Sequence, residues 1–322
     1  MLRICNNVLS NTKFEEYTLN QYNINFNNNA GTNKKKNNIL IDFWPFSMIA
    51  PIQLLIILVL SVPILYSVLL SFFSYSWGSS RDFIGLNNYF RLFSDINFWR
   101  SLINTLIFVN IVVYLEIAIS LGIALLFVKA LPFKKILISV LLAPYAISTV
   151  VSVLIWRFLL EPDVGILNYI LLKLGLGQIL YPSNTLHAFG LIIFLSLWKN
   201  IPFTFILLYS AILAIPKEIP EAASLDGANT LQMFQYITWP MIRAIVIIAL
   251  IFRFIFAFRT FEVPWILTGG GPLRSTELLS IYLYKFGFRY HELGYASATA
   301  VIMIIITLLI SMYYIKISSK EY

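Results

Sequence analysis

Charged and polar side chains set inside long apolar stretches are the residues of this chain with the most chemistry to offer. Arg253, Phe256, Ala257 and Thr260 are spaced i, i+3, i+4 and i+7, so a helix places them on one face. Ionisable side chains are costly inside a membrane and by default point toward a cavity or a partner. A guanidinium, an aromatic ring and a hydroxyl on one face suit a hydroxyl-rich solute, which needs donors for its oxygens and apolar surface for its ring faces.

A second polar group interrupts another apolar stretch at SLWKNIP, residues 196–202. The proline removes a backbone donor and kinks a helix, so Lys199 and Asn200 could bond to the opened turn or face a solute pathway. The alternative interpretation is that the proline only shapes packing. Tyr145 and Thr149, spaced one helical turn apart in a third stretch, are interpreted as packing residues when taken on their own.

Four further ionisable residues lie in apolar stretches. Arg259 and Glu262 are spaced i, i+3 on a face different from that of Arg253, and this spacing predicts an internal ion pair. Arg157 lies near the outer end of its stretch, where a long side chain can snorkel to the membrane surface. Glu116 is the fourth, and we expect it to face a cavity or a partner.

No motif for catalysis or metal binding accompanies these residues. The sequence contains no GxxxxGK[ST], HExxH or GxSxG motif, so we expect no ATP hydrolysis and no catalytic residue in this chain. Cys5 is the single cysteine, and His187 and His291 lack a partner at metal-ligand spacing. We therefore expect neither a metal site nor a cofactor bound by this chain.

Composition indicates that the chain lies in a membrane. Hydrophobic residues make up 59% of the 322 residues and charged residues 12%, whereas charged residues are about 25% of soluble domains. The net charge of +8 is scattered between apolar stretches, which argues against a nucleic-acid-binding surface. Six stretches are long enough to cross a bilayer and predict an all-α polytopic membrane protein with six transmembrane helices. They cover residues 48–73, 102–128, 136–159, 186–213, 244–267 and 294–315.

The distribution of lysine and arginine predicts the orientation in the membrane. Residues 1–44 form a polar, Asn-rich tail without the apolar core of a signal peptide, and residues 45–318 hold the transmembrane domain. Basic residues close to the ends of the spans, such as Lys135 and Lys217, favour both termini in the cytoplasm. This orientation also places the polar segment between the fourth and fifth stretches, residues 216–240, on the cytoplasmic side.

That segment, PKEIPEAASLDGANTLQMFQYITWP, is a polar island in an apolar chain, and we expect it to contact a partner. Pro220 suits the first turn of a helix, where nearby carboxylates are also favoured. Gly227 offers a bend, after which Asn229 or Thr230 can cap a second helix. Pro240 is predicted to end that helix. The pattern therefore predicts a short helix, a glycine bend and another short helix.

Three motifs carry a resemblance to a known family. EAASLDGA at residues 221–228 resembles the EAA loop of ABC importer permeases, the cytoplasmic segment that docks on the ATPase subunit. LTGGGP at 267–272 and GYASA at 294–298 follow it at the fifth and sixth stretches. Over about residues 45–318 the chain resembles the permeases of sugar-type ABC importers, in particular a MalF-like or glycerol-3-phosphate-type subunit. The resemblance implies the type I importer (MetI-like) permease fold and a prokaryotic cell membrane.

The resemblance also implies partners and a solute. This permease would work beside a second homologous permease, two ATP-binding subunits that hold ATP and Mg, and an extracytoplasmic solute-binding protein. Together they would move a sugar or related polyhydroxy solute inward by alternating access. The positions matching the family's solute contacts are Tyr145, Thr149, Ser196, Lys199, Asn200, Arg253, Phe256, Ala257 and Thr260. Those matching its ATPase contact are Glu221, Ala222, Ala223, Asp226 and Gly227.

Two departures from the family bear on the solute. Lys199 and Arg253 stand where the family has uncharged residues, and two cations would suit a phosphate, a carboxylate or a densely hydroxylated sugar. An alternative function is an ion-coupled secondary transporter acting alone. It needs intramembrane carboxylates for the coupling ion, and only Glu116 and Glu262 are available. For a membrane-embedded enzyme the sequence offers no nucleophile or metal cluster.

Overall fold

The computed structural model describes residues 44–129 and 131–319. Contacts within the chain divide it into two units, Met1–Leu60 and Ser61–Tyr322. The predicted Asn-rich tail, residues 1–44, lies outside the described residues except for its last residue, and so does Cys5. The predicted boundary between tail and transmembrane domain therefore stays a prediction.

Helices account for most of the described residues, as the apolar composition predicts. Turns of π-helix occur at Phe234–Thr238 and Lys285–Arg289, and β1 (Phe73–Ser74) pairs antiparallel with β2 (Asp82–Phe83) in the loop after the first helix. This ladder of two residue pairs lies in a loop, and the all-α prediction is confirmed. The helices are α1 (Trp44–Leu70), α2 (Asn87–Ser94), α3 (Ile96–Val128), α4 (Lys134–Ala146), α5 (Thr149–Leu159), α6 (Ile166–Lys173), α7 (Thr185–Leu213), α8 (Glu218–Leu225), α9 (Thr230–Met233), α10 (Trp239–Phe258), α11 (Glu262–Thr268), α12 (Leu279–Tyr284) and α13 (Leu293–Ser319).

The described helices confirm the prediction of a polytopic membrane protein. Five helical segments are long and apolar enough to cross a membrane, and a sixth span results if α4 and α5 count as one. The second span begins at Ile96 instead of residue 102, because Asp95 caps it by accepting the backbone N–H of Asn97 at 2.8 Å. Polar residues of the first turns therefore extend the helix beyond its apolar stretch.

The third span is broken, in contrast to the single helix that the sequence predicts. α4 and α5 meet at an angle of 98°. Pro144 lies in the last turn of α4, and Ile147 and Ser148 have extended backbone angles before α5 begins. The prediction that Tyr145 and Thr149 lie on successive turns of one helix is therefore wrong, because the two residues flank the break.

The polar segment 216–240 has the predicted helix, bend and helix, but its end differs. Gly227 bends the chain with φ +82°, and Asn229 caps α9 in a capping box with Gln232. Pro240 does not end the second helix. A π-turn joins α9 to α10, where the Trp239 N–H bonds to the Phe234 carbonyl, and this wider turn admits the proline at the start of α10.

The transmembrane core forms around α3, which packs against α7, α10 and α12. Phe108 and Val112 of α3 are buried with Ile192 of α7 and Phe254 of α10. α10 also packs against α13. These close apolar contacts fix the positions of α7 and α10, and the next section shows that both helices carry polar side chains into one cavity.

A polar network joins elements on the predicted outer side. The hydroxyl of Tyr282 donates to Asp95 at 2.6 Å and lies 2.7 Å from the hydroxyl of Tyr295. Burial and the hydrogen bond to Asp95 raise the pKa of Tyr282 above its usual range. Arg91 forms a two-pronged ion pair with Glu292, with distances of 2.5 and 3.2 Å. The network ties α2 and the start of α3 to α12 and α13.

Candidate functional site

A cavity of about 840 Å³ lies at the break of the third span. Its walls are the break itself, the middle of α7, the second half of α10 and the first turn of α11. This volume lies within the roughly 300–1,000 Å³ of small-molecule sites. Polar and aromatic side chains from four segments therefore converge at one place within the apolar bundle.

The structure brings together all but one of the nine residues that the sequence and the resemblance single out for solute contact. Ala257 is the exception, because it is buried among the apolar residues of the core and does not line the cavity. The residues that line the cavity are Tyr145, Thr149, Ser196, Lys199, Asn200, Arg253, Phe256 and Thr260. Whether they contact a solute stays a prediction.

Arg259 and Glu262 also line the cavity, where the sequence predicts an internal ion pair between them. No such pair forms in the described part of the chain, so that prediction is wrong. The helix ends at Phe258, which breaks the i, i+3 geometry. The Arg259 guanidinium instead lies over the Phe256 ring, 5.4 Å from its centroid.

Arg253 is held from behind by a carboxylate on another helix. Its Nε lies 2.7 Å from Oε1 of Glu116 on α3, and both side chains are buried, with 7% and 0% of their surface exposed. The N–H direction misses the oxygen, so the contact is an ion pair and not a hydrogen bond. The Thr204 hydroxyl of α7 donates to the same Oε1. The sequence missed this partner, since no local spacing connects residue 116 with residue 253.

The ammonium group of Lys199 forms hydrogen bonds with the backbone of the broken span. The Nζ atom donates to the carbonyl of Pro144 at 2.9 Å, to that of Tyr145 at 3.3 Å, and to that of Ile147. These carbonyls are the unpaired acceptors at the end of α4, where a cation is favoured. The sequence offered two roles for Lys199, a bond to the turn opened by Pro202 in its own helix or a position facing a solute pathway. Its hydrogen bonds go to the third span instead of its own helix, and it also lines the cavity.

Aromatic rings supply the apolar surface of the cavity. Tyr145 stacks on Phe203, with ring centroids 5.9 Å apart, and both rings line the cavity with Phe256 and Phe261. The sequence missed Phe203 and Phe261, although Phe203 directly follows the SLWKNIP stretch. Rings beside hydroxyl, amide and guanidinium groups form a wall that can accept ring faces and oxygens of the same solute.

The segment 216–240 presents a second candidate site away from the cavity. Glu221, Ala222, Asp226 and Gly227 are exposed, and Ala223 is half-buried. Leu225, at the end of α8, is 89% exposed although the surrounding loop is polar. Leu231 and Tyr236 of the same segment are also exposed, by 63% and 76%, so several apolar side chains of this polar segment are available to a partner.

Curated relatives match most of the chain. The sulfoquinovosyl glycerol transport system permease protein SmoG of Agrobacterium fabrum is 33% identical over 84% of this chain and 88% of its own length. The trehalose/maltose transport system permease protein MalF of Thermococcus litoralis is 30% identical, covering 84% and 92%. The similarity extends over the whole transmembrane part and is not confined to a motif.

Solved structures show the fold. The crystal structure of a bacterial ABC transporter involved in the import of the acidic polysaccharide alginate matches with a TM-score of 0.78 at 22% identity, covering 88% of this chain and 97% of that chain. A second alginate transporter structure, in complex with an alginate pentasaccharide-bound periplasmic protein, matches with a TM-score of 0.76 at 22% identity, covering 86% and 94%. The permease fold predicted from the sequence is therefore confirmed.

The broken third span, the polar cavity and the exposed segment 216–240 thus occur in a chain whose residues 50–319 match the family of binding-protein-dependent transport system inner membrane components. The chain belongs to this family and is a multi-pass membrane permease subunit of an ABC importer.

Proposed function

We propose that this permease moves a sugar or a related polyhydroxy solute into the cell through the cavity at the broken third span. The observation that carries this proposal is the convergence of eight candidate solute residues on that one cavity. SmoG and MalF, the relatives named for glycosyl and disaccharide transport, support the solute class. Alternating access of the cavity to the two sides of the membrane would complete the transport cycle.

The cavity wall fits the chemistry of such a solute. Asn200 and Thr260 offer amide and hydroxyl groups, and Arg253 offers planar N–H donors to sugar oxygens. Tyr145 and Phe256 are about half exposed there and can stack on the apolar faces of a pyranose ring. Each of these roles is a proposal for this chain.

Energy would come from a partner subunit that docks on the segment 216–240. Glu221, Ala222, Ala223, Asp226 and Gly227 are the proposed contact residues, and Gly227 lets two backbones approach closely. The rigid helix α8 would transmit closure of the ATPase to the spans through α9 and the continuous helix that follows. ATP and Mg would bind to that partner, and this chain would hold no cofactor.

The complete importer would contain a second homologous permease, two ATP-binding subunits and an extracytoplasmic solute-binding protein. The family description names a binding protein, and the alginate transporter has been crystallised with one. We further propose that both termini lie in the cytoplasm of a prokaryotic cell, since Lys134, Lys135 and Lys217 lie near span ends on that side. This orientation places the docking segment where ATP is available.

The alternative of an ion-coupled transporter acting alone has less support from the contacts. Of the two carboxylates available for a coupling ion, Glu116 is paired with Arg253 and accepts a hydrogen bond from Thr204. Only Glu262 lines the cavity.

Substitution of the glycine bend tests the docking role. Gly227→Asp should abolish ATP-dependent uptake by the reconstituted complex while the chain still inserts, because it adds bulk and charge at the ATPase contact. Gly175→Asp is the matched control, since Gly175 also has positive φ and open surroundings but lies in a loop on the other side of the membrane. Equal uptake by the two variants would contradict the docking role.

A further inference from the structure

We propose that Glu116 sets the charge of the cavity. It cancels the positive charge of Arg253 from behind and holds the guanidinium by its Nε edge, so that Arg253 serves an uncharged polyhydroxy solute as a donor and does not form an anion site. The inference rests on the proposed function, in which the cavity takes the solute. It makes Glu116 a positioning and specificity-determining residue that itself touches no solute.

The contacts of Glu116 all point away from solvent. Its side chain is fully buried between α3, α7 and α10 and is absent from the cavity wall. Oε1 takes both the ion pair with Arg253 and the hydrogen bond from Thr204. Oε2 has no partner among the described residues. A carboxylate in this position acts on the cavity only through the arginine in front of it.

The guanidinium of Arg253 has one edge against the protein and the other toward the cavity. Its Nε edge faces Glu116, whereas no hydrogen bond within the described ranges takes up its two Nη groups. These groups are not enclosed, because Arg253 lines the cavity. The planar N–H donors are therefore presented to the solute in a fixed orientation, with their charge compensated at close range.

The other charged groups around the cavity determine how far Glu116 changes its net charge. Lys199 and Arg259 add two cations, and Glu262 adds one carboxylate. The ammonium of Lys199 is already engaged by three backbone carbonyls. With Glu116, the three cations Lys199, Arg253 and Arg259 are offset by two carboxylates, which leaves a net charge of +1. Without Glu116 only Glu262 remains, the net charge rises to +2, and the attraction for anions increases.

Related importers differ in the charge of the saccharides named for them. One similar structure belongs to an importer of an acidic polysaccharide, and MalF of Thermococcus litoralis is named for trehalose and maltose. Residues that line the cavity of this chain can supply such a preference. Neutralisation of Arg253 favours the uncharged class over the phosphate or carboxylate that two free cations would suit.

Charged thiol reagents can measure the local charge of the cavity, even when the solute is not identified. Cys5 is the single cysteine, so Cys5→Ser gives a background in which Thr260→Cys places one thiol in the cavity. The assembled complex in nanodiscs at low salt is treated with anionic sulfonatoethyl or cationic trimethylammonioethyl methanethiosulfonate. Labelling of this chain is followed by intact-mass spectrometry, and the ratio of the two rates reports the local charge.

Glu116→Gln should raise the ratio of anionic to cationic labelling by at least about fourfold. Glu116 contacts Arg253, and Thr260 lies about two helical turns further along the chain, because the turn after Phe258 continues to it. The distance is on the order of 10 Å. One unit charge at that distance changes the local concentration of each reagent by about twofold in opposite directions, even with the dielectric constant of water. Low salt keeps this effect from being screened.

Three variants separate charge from structural damage. Glu116→Asp keeps the charge and should keep the original ratio. Glu277→Gln is the matched control, since Glu277 is also buried and paired with a cation, Lys285, but lies away from the cavity. It should leave the ratio unchanged. If Glu116→Gln fails to assemble, the double variant Glu116→Gln/Arg253→Gln carries no uncompensated charge, and its ratio should fall to or below the original value.

The outcomes distinguish this inference from the proposed function. An unchanged ratio in Glu116→Gln, or a raised ratio in the uncharged double variant, would overturn the role of Glu116 while leaving the cavity open as a solute site. Failure of the Thr260→Cys thiol to react with either reagent at any stage of ATP turnover would instead show that the cavity is closed to solutes, which contradicts the proposed function itself.

Discussion

Single residues in this permease have positions that depend on partners from other helices. Arg253 is the clearest case, because its guanidinium is buried and its counter-charge comes from Glu116 on α3. A buried pair adds little net stability, but a lone buried charge is strongly destabilising. The pair must therefore be considered as a unit in any mutational study.

Arg253→Gln alone should lower the free energy of unfolding by about 3–5 kcal/mol, because it leaves Glu116 buried without its cation. The double variant Glu116→Gln/Arg253→Gln should recover most of this loss, since no uncompensated charge remains. Thermal unfolding of the purified complex measures both effects. Equal losses in the single and double variants would show that the two residues are not coupled.

Helical spacing predicted which residues line the cavity better than it predicted which charged residues pair with one another. Arg253, Phe256 and Thr260 were expected on one face, and all three line the cavity. Spacing failed for Ala257, which faces the core, and for Arg259 with Glu262, because the helix ends between them. The Glu116 contact depends on how α3 packs on α10, and no local pattern contains that information.

Among the secondary-structure elements, the broken third span does most to create the cavity. Its unpaired carbonyls at Pro144, Tyr145 and Ile147 are satisfied by Lys199 of α7. The sequence shows Pro144 and the interrupted fourth stretch. It does not show that the Lys199 side chain of the fourth stretch bonds to the backbone carbonyls of the third. A 98° bend is a result of packing and not of proline alone.

Lys199→Met should destabilise the complex by about 2 kcal/mol, because charge-assisted hydrogen bonds to three carbonyls are lost while the apolar stem is kept. The midpoint of thermal unfolding measures this change. Lys173→Met serves as control, since Lys173 is an exposed lysine at the end of α6 and should shift stability by at most about 0.5 kcal/mol. A loss no larger than that of the control would exclude the capping role of Lys199.

The proposed ATPase contact of the segment 216–240 can be tested at Leu225. Leu225→Asp should reduce co-purification of the ATPase subunit at least about tenfold, because it places a charge where an apolar anchor is buried on docking. Leu273→Asp is matched to it, since Leu273 is 93% exposed, compared with 89% for Leu225, and lies in a loop remote from the segment 216–240. Unimpaired recovery of the ATPase with Leu225→Asp would exclude this surface as the contact.

Helix ends were the least predictable part of the elements. Gly227 and the Asn229 cap were correctly predicted from local chemistry. Pro240 was expected to end a helix, yet a π-turn at Phe234–Thr238 lets the helix continue into the fifth span. The extra residue in that turn removes the need for the bond that proline cannot make, and the helix runs on from the segment 216–240 into α10.

In the unit Ser61–Tyr322, the helices form a bundle with two candidate functional sites. One is the cavity between α5, α7, α10 and α11, and the other is the segment 216–240. Composition and the length of the apolar stretches were sufficient to predict the bundle, because a membrane imposes those lengths. The convergence of the polar residues required the three-dimensional packing. A continuous helical path from the segment to Arg253 is the physical link that the proposed transport mechanism uses.

The most direct test of the account is uptake of radiolabelled sugars into proteoliposomes that contain the permease pair, the ATPase subunits and the binding protein. We predict uptake that requires ATP, the ATPase and the binding protein and that persists when ionophores collapse all ion gradients. Uptake by this chain alone, driven by an ion gradient and indifferent to ATP, would contradict the account.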